Sequence, residues 1–280
     1  KILKSFNPAV IFHAAAHKHV PLMEGSPCEA VKNNVRGTRI VAQAAARCGV
    51  GQFVMISSDK AVNPTSTMGA TKRVAELVVQ SLEERGRTKF MTVRFGNVLG
   101  SNGSVVPRFL EQIKAGGPVT ITHPDIRRFF MLIPEAVQLV LHAAALGEDG
   151  AIYVLEMGEQ IKIVDLARNL IRLAGLIPDE DIPISFVGLR PGEKLFEELI
   201  GQEETIEQSA LEKILKVKSG PLQNPYAFMP LVALLEQRAA LQDLDLVLDL
   251  LRELVPTFTP NGAYAVQEAE RVFLGSYNGR

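Results

Sequence analysis

The residues best equipped for chemistry lie within one short stretch. An apolar run, Phe53-Val54-Met55-Ile56, leads into Ser57-Ser58-Asp59-Lys60, then a turn at Asn63-Pro64 and a helix start at Thr65 that carries Met68 and Lys72. A strand end thus presents hydroxyls, a carboxylate and an amine, and a second amine follows one helical turn beyond Met68. These are the groups that general acid–base chemistry uses. The stretch reads as an active site rather than as packing, and the remaining elements are expected to position it.

Upstream, Ala9-Val10-Ile11-Phe12 has the continuous apolar pattern of a strand buried on both faces, and it ends in His13-Ala14-Ala15-Ala16. Small residues there either admit a ligand close to the backbone or form a tight packing corner. His13, His17 and His19 invite a metal reading, but no cysteine is near and Glu24 is their one carboxylate, so no metal is expected. Ser26-Pro27-Cys28-Glu29 is a helix start with a cap, a proline at the first position and an acid placed to close a capping box. That helix is predicted to run to Cys48 and stop at Gly49, with Asn34 on the line of its apolar face. A buried amide must find partners, so Asn34 either holds a neighbouring loop or lines a site.

The helix from Thr65 is predicted to extend to Arg85, with Met68, Thr71, Ala75, Val78, Val79 and Leu82 turned inward and Lys72 at the stripe's edge. Lys72 is expected to reach back toward the strand end bearing Ser58 rather than to snorkel. Lys89-Phe90-Met91-Thr92-Val93 is the next strand, followed by the glycine-rich loop from Arg94 to Ser104 and a helix over 106–115. The loop's glycines do not follow the dinucleotide spacing, but its amides, Asn97 and the helix start suit a phosphate ester. Alternating strands and helices predict an α/β fold with a Rossmann-like doubly wound parallel sheet, whose ligands sit at the carboxyl ends of the strands.

Farther on, Asp125-Ile126-Arg127-Arg128 precedes an aromatic pair, helices are predicted over 134–146 and 164–174, and short strands over 153–155 and 184–187. Arg190-Pro191-Gly192-Glu193-Lys194 is either a diphosphate clamp or a surface turn with an ion pair. Residues 203–280 read as a charged helical tail, with one long run over 229–254 and no evident chemistry. Thirty Lys and Arg against 31 Asp and Glu leave a net charge of −1, which supplies no global field for nucleic acid or an anionic membrane. Cys28 and Cys48 fall on one predicted helix, too far apart to bridge, and fit a reducing compartment. No apolar run approaches the length of a membrane span, so no membrane segment is expected in this chain.

Together these residues resemble one family: the nucleoside-diphosphate-sugar 4,6-dehydratases of the extended short-chain dehydrogenase/reductase superfamily. The branch is the bacterial polysaccharide-biosynthesis (CapD-like) one that acts on UDP-N-acetylglucosamine. The likeness rests on Phe12-His13-Ala14-Ala15-Ala16-His17-Lys18-His19-Val20-Pro21, on Ser57-Ser58-Asp59-Lys60-Ala61-Val62-Asn63-Pro64-Thr65 and on Met68-Gly69-Ala70-Thr71-Lys72. Arg94-Phe95-Gly96-Asn97-Val98-Leu99-Gly100-Ser101 and Arg190-Pro191-Gly192-Glu193-Lys194 complete it. The resemblance implies NAD as cofactor and a UDP-sugar as substrate. Hydride leaves sugar C4, a base removes the C5 proton while an acid protonates the departing C6 hydroxyl, and the hydride returns to C6.

In the family's pattern Ser58 hydrogen-bonds the C4 oxygen, Asp59 is the acid, Lys60 the base, and Lys72 holds the nicotinamide ribose. Further cofactor contacts are implied at His13, Ala14, Ala15, Asn34 and Ser57. Substrate contacts are implied at His17, Lys18, Asn97, Ser104, Arg108, Arg128, Arg190 and Glu193, with Asn97 and Arg190 at the diphosphate. A protonated Asp59 and a neutral Lys60 near pH 7 require both pKa values to move by about three units, which burial is expected to supply. Most of the superfamily has a tyrosine where this chain has Met68, which cannot titrate, so the acceptor of the first proton stays open.

The resemblance also places a first strand, a glycine-rich dinucleotide loop and an acidic ribose contact before residue 1, so the chain is expected to begin inside a domain. The expected division is a Rossmann-like NAD-binding part over 1–150, a substrate-binding part over 151–205 and a helical extension over 206–280. A homo-oligomer in the cytoplasm is implied, with a longer parent protein at the inner face of the membrane. A C4 epimerase and a non-catalytic sugar-nucleotide-binding module are the competing readings.

Overall fold

The computed structural model describes residues 1–83, 86–207, 209–211, 213–222 and 224–261. At its centre is a six-stranded sheet in the order Val10–His13, Gln52–Ile56, Lys89–Arg94, Ile152–Leu155, Ile214–Lys218, Thr205–Glu207. The first four strands are parallel and the last two antiparallel. The α/β fold read from the alternating pattern is therefore the one observed.

Strand alternation divides the core into two layers. Phe53, Met55 and Phe90 pack with Ala42, Ala45, Ala75 and Val79 of the helices Thr38–Cys48 and Thr67–Gln80. Val54, Met91 and Val93 pack on the other face with Leu139 and Ala143 of the Ile133–Leu146 helix. With helices on both faces, the central strands need apolar side chains at every position, which is why they read as continuous apolar runs.

Several local expectations are corrected. The helix after Ser26 is interrupted by a π-helical stretch, Val31–Gly37, before it ends at Gly49 with φ 67°. No capping box forms there: Ser26 makes no side-chain cap bond, and Glu29 accepts instead from Lys32 Nζ at 2.8 Å. The next helix starts at Thr67, not Thr65, because the Thr65 hydroxyl is spent on the Gly192 carbonyl at 3.1 Å while Ser66 Oγ caps Gly69 N–H at 3.1 Å. It ends at Gln80 rather than reaching 85, a position outside the described residues.

This helix is also buried nearly all round rather than along one stripe. Its Ala70, Val74 and Val78 meet Phe228, Val232 and Leu235 of the Pro225–Ala240 helix and Val247 and Leu251 of the Leu244–Leu254 helix. The single run expected over 229–254 is thus two helices, separated where Gln242 takes φ 60° and Asp243 caps the second. The last part of the expected tail, 262–280, lies outside the described residues.

A smaller apolar cluster stands beside the main sheet. The parallel pair Val119–Ile121 and Ile184–Phe186 packs with helices Val105–Lys114 and Ile163–Leu173. Two short ladders, Asn97–Val98 with Phe130–Met131 and Arg127–Arg128 with Ile161–Lys162, connect it to the loops at the carboxyl ends of the main strands. Among the described residues no helix is long and apolar enough to cross a membrane.

Candidate active site

The Ser57–Lys60 turn is held by backbone before any side chain acts. Ser57 N–H donates to the Val93 carbonyl at 2.7 Å and Asp59 N–H to the Phe95 carbonyl at 2.8 Å, so the loops after two adjacent strands are stitched together. Ser58 caps the 3-10 turn Asp59–Ala61 and donates its hydroxyl to Asp59 Oδ1 at 2.8 Å. Gly69 lies against this turn so closely that a Cβ there would overlap the Lys60 carbonyl. The helix carrying Met68 and Lys72 is thereby pressed onto the loop carrying Ser58 to Lys60.

Lys60 is the hub. Its Nζ lies 3.0 Å from Asp59 Oδ1, 3.3 Å from Asn97 Oδ1 and 3.5 Å from Glu197 Oε1. The Asp59 side chain is fully buried and that of Glu197 is 2% exposed, while Lys60 keeps 24%. Arg128 Nε stands 3.6 Å from Glu197 Oε1. Asp59 Oδ2 and Glu197 Oε2 are buried and have no hydrogen-bond partner among the described residues. Unpaired buried carboxylate oxygens are costly, and such sites are where a proton or a ligand is received.

The protonation expected of Lys60 needs correcting. Burial does favour the neutral amine, but the carboxylates of Asp59 and Glu197 outweigh it and hold the pKa above the ordinary lysine value. Lys72 behaves as burial dictates. Desolvation, partly offset by Glu76, brings its pKa down to about 8, and Nζ donates to the Ile56 carbonyl at 2.6 Å, at the strand end as expected.

Two cavities meet at Lys60 and Asn97. The larger, about 420 Å³, is lined by Ala14, His17, Lys18, Ser57, Ser58, Met68, Lys72 and Ser104 among others. The smaller, about 190 Å³, is lined by Arg128, Arg190, Glu193, Lys194 and Glu197. Most of the residues singled out in the sequence converge here.

Five do not line either cavity. Asp59 is buried between its lining neighbours Ser58 and Lys60, and Ala15 is exposed between its lining neighbours Ala14 and Ala16. His13 Nε2 is 2.9 Å from Thr38 Oγ1, and burial with the nearby charge of Lys72 lowers its pKa to about 4, so the ring is neutral. Asn34 is fully buried and holds a loop: its Oδ1 accepts from His17 N–H at 2.8 Å and its Nδ2 donates to the His17 carbonyl at 3.1 Å. Arg108 donates to Thr120 Oγ1 at 2.9 Å, and burial and the charge of Arg190 push its pKa down.

Sequence reasoning passed over Glu197 and a second charge cluster. Glu197 was detectable as an acid inside the apolar run Leu195-Phe196-Glu197-Glu198-Leu199-Ile200. The second cluster centres on Arg94, which is 1% exposed and bonds Glu76 through Nε at 2.9 Å and Nη2 at 2.7 Å, and Glu204 through Nη1 and Nη2 at 2.7 Å each. Burial alone would raise Glu76, but Arg94 holds its pKa down at about 2. Ser57 Oγ donates to Glu76 Oε1 at 2.6 Å, tying this cluster to the active-site turn. Glu76 follows Lys72 as Lys72 follows Met68, one helical turn on, which is the spacing that would have found it.

Residues 1–219 match the model of the polysaccharide biosynthesis protein family. The chain belongs to that family. A relative, the capsular polysaccharide biosynthesis protein CapD of Staphylococcus aureus, is 58% identical over 219 residues, covering 78% of this chain and 36% of that protein. The chain therefore spans about a third of that relative's length. A UDP-glucose 4-epimerase of Rickettsia bellii is 39% identical over 197 residues, covering 69% of this chain and 56% of the epimerase. Among solved structures, Pen from Bacillus thuringiensis superposes with TM-score 0.68 at 37% identity, over 75% of this chain and 66% of Pen. A double mutant of the dTDP-glucose 4,6-dehydratase DesIV from Streptomyces venezuelae, with NAD bound, superposes with TM-score 0.63 at 21% identity over 69% of this chain and 66% of that one. At that identity the likeness is one of fold, the Rossmann-like arrangement described above.

Proposed function

We propose that this chain carries the catalytic centre of an NAD-dependent UDP-sugar 4,6-dehydratase of bacterial polysaccharide synthesis, with UDP-N-acetylglucosamine as substrate. The observation that carries the reading is the Asp59–Lys60 pair, joined at 3.0 Å at the junction of two cavities. Elimination needs an acid and a base acting together, and an adjacent pair that shares a proton provides both.

The residues fit a dinucleotide at the larger cavity. Ala14 and Ala16 leave the backbone open, Ser57 and Lys72 offer donors, and Met68 presents an apolar wall. When bound there, NAD supplies a reversible acceptor for the sugar C4 hydride. Lys72 would hold the ribose hydroxyls. Arg128, Arg190 and Lys194 give the smaller pocket the charge to hold a diphosphate, with Arg forks matched to its oxygens. Lys60 would take the C5 proton, and Asp59 would give a proton to the C6 oxygen as the C6–O bond breaks and water leaves. Asp59 reaches the cavity through the Ser58 hydroxyl or the Lys60 amine, at 2.8 and 3.0 Å.

The second reading is C4 epimerisation, favoured by the 39% identity to a UDP-glucose 4-epimerase. It needs hydride removal and return but no acid for C6, which leaves the buried Asp59 without a task. The test is mass spectrometry with chromatography of UDP-N-acetylglucosamine incubated with NAD, using this chain and the same chain with any residues encoded before Lys1. Loss of one water supports the dehydratase. Unchanged mass with a new retention time indicates the epimerase, and an unchanged sugar that still binds indicates a non-catalytic module.

A further inference from the structure

We infer that Glu197 is a positioning residue of this site: its carboxylate, 3.5 Å from Lys60 Nζ, fixes the lysine as an ammonium in the resting state and aims it between the two cavities. Three observations support this. Glu197 is buried, its Oε2 has no partner among the described residues, and it lines the smaller cavity beside Lys60. Its other neighbour, Arg128, does not depend on it for hydrogen bonds, since that guanidinium donates to the carbonyls of Arg127 at 2.7 Å, Lys194 at 2.8 Å and Leu195 at 3.3 Å. Lys60 lacks such alternatives: its partners are Asp59, Asn97 and Glu197.

The charges facing Lys60 come from every element around it. Asp59 is on its own turn, Arg128 on a short strand, Lys18 on the loop after the first strand and Lys72 on a helix, both lining the larger cavity, and Arg190, Glu193, Lys194 and Glu197 on the loop across the smaller one. Five cations other than Lys60 line the two cavities, and the carboxylates of Asp59 and Glu197 are what hold an ammonium among them. The consequence for the reaction rests on the dehydratase reading. Lys60 starts as the proton donor of the pair, and a single transfer prepares both catalysts: an Nζ–H bond breaks, an Asp59 O–H bond forms, and ammonium and carboxylate become amine and carboxylic acid. Glu197, 3.5 Å from Nζ, takes no part in the transfer and sets how far uphill it lies.

The test is a carbon-13 NMR titration of Lys60 Cε in the intact chain, the resonance assigned by Lys60→Arg. In the unaltered chain Lys60 is expected to titrate above the ordinary lysine range. Glu197→Gln should lower the midpoint by about 1–3 units, and Glu197→Asp, which keeps the charge, should move it less. An unchanged midpoint in Glu197→Gln overturns the inference. So does an unaltered chain whose Lys60 titrates at or below the ordinary value, a result that does not depend on either Glu197 variant folding. In turnover of the UDP-sugar, loss of the one proton that the pair shares ends activity, so Glu197→Gln should shift the fall of rate at high pH to lower pH by the same amount. A titration that moves without any turnover sinks the dehydratase reading and leaves the Glu197 assignment standing; turnover with an unmoved titration does the reverse.

Discussion

Two buried charge clusters sit at the ends of adjacent strands, and they are finished to different degrees. Around Arg94, Glu76 and Glu204 each meet the guanidinium at two points, Arg73 Nη1 adds contacts of 2.8 and 3.2 Å to the same two acids, and the carboxylate oxygens are all engaged. Around Lys60, two acids share one ammonium and each keeps a buried oxygen without a partner among the described residues. A satisfied buried network fixes one geometry, whereas an unsatisfied one holds groups in reserve for a substrate. The first cluster anchors Ser57 through Glu76, and thereby steadies the turn from which the second is built.

If that division is right, damage to the two clusters must show in different measurements. Arg94→Met strands two buried carboxylates and should cost about 3–5 kcal/mol of stability, read as a lower urea midpoint. A loss below about 1 kcal/mol would mean that the cluster is no anchor. Asp59→Asn should leave the urea midpoint nearly in place while lowering dehydration about 10²–10⁴-fold. Full activity in that variant would remove Asp59 from the acid's role. Gly69→Ala pushes the helix off the Lys60 carbonyl and should cost about 1–3 kcal/mol of stability, with a loss of rate beyond what the fraction unfolded explains. Stability lost with the rate per folded molecule unchanged would show that the turn tolerates displacement.

What was legible beforehand followed sequence distance. Ser57, Ser58, Asp59, Lys60, Met68 and Lys72 belong to one strand–turn–helix unit, so hydrophobic period and spacing alone placed them together, as the cavity lining and the buried Asp59 beneath it bear out. The parallel sheet was readable because apolar strands and amphipathic helices alternate. Glu197 could be picked out as an acid in an apolar run, but neither its partner nor that of Glu204 was readable, because each is met across a long sequence separation, Arg94 to Glu204 spanning 110 positions. Periodicity describes one element's faces and is silent on which other element covers them. The same limit explains the Thr67–Gln80 helix, whose outer face looked free until the two helices after Asn224 closed over it. The protonation of Lys60 failed for a related reason: burial could be inferred from its neighbours in sequence, but the second carboxylate could not.

Lys72 joins the two clusters and is the most delicate probe of the difference between them. It lines the larger cavity, bonds the Ile56 carbonyl, and feels the charge of Glu76. Its folded pKa is about 8, against about 10.4 for an unfolded lysine. Below pH 8 both states hold the proton, and the cost of burying the ammonium is fully present. Between these two values the unfolded chain binds more protons, so stability rises with pH, at no more than about 1.4 kcal/mol per pH unit for one group. Above the unfolded value the gain is complete. Lys72→Met should abolish this rise and be the more stable protein at pH 7, as measured by urea midpoints from pH 7 to 10.5. If the unaltered chain shows no rise, Glu76 compensates the ammonium fully and Lys72 belongs to the finished cluster; if it does, Lys72 is a buried cation held partly uncompensated, the condition in which a ribose hydroxyl would stabilise it.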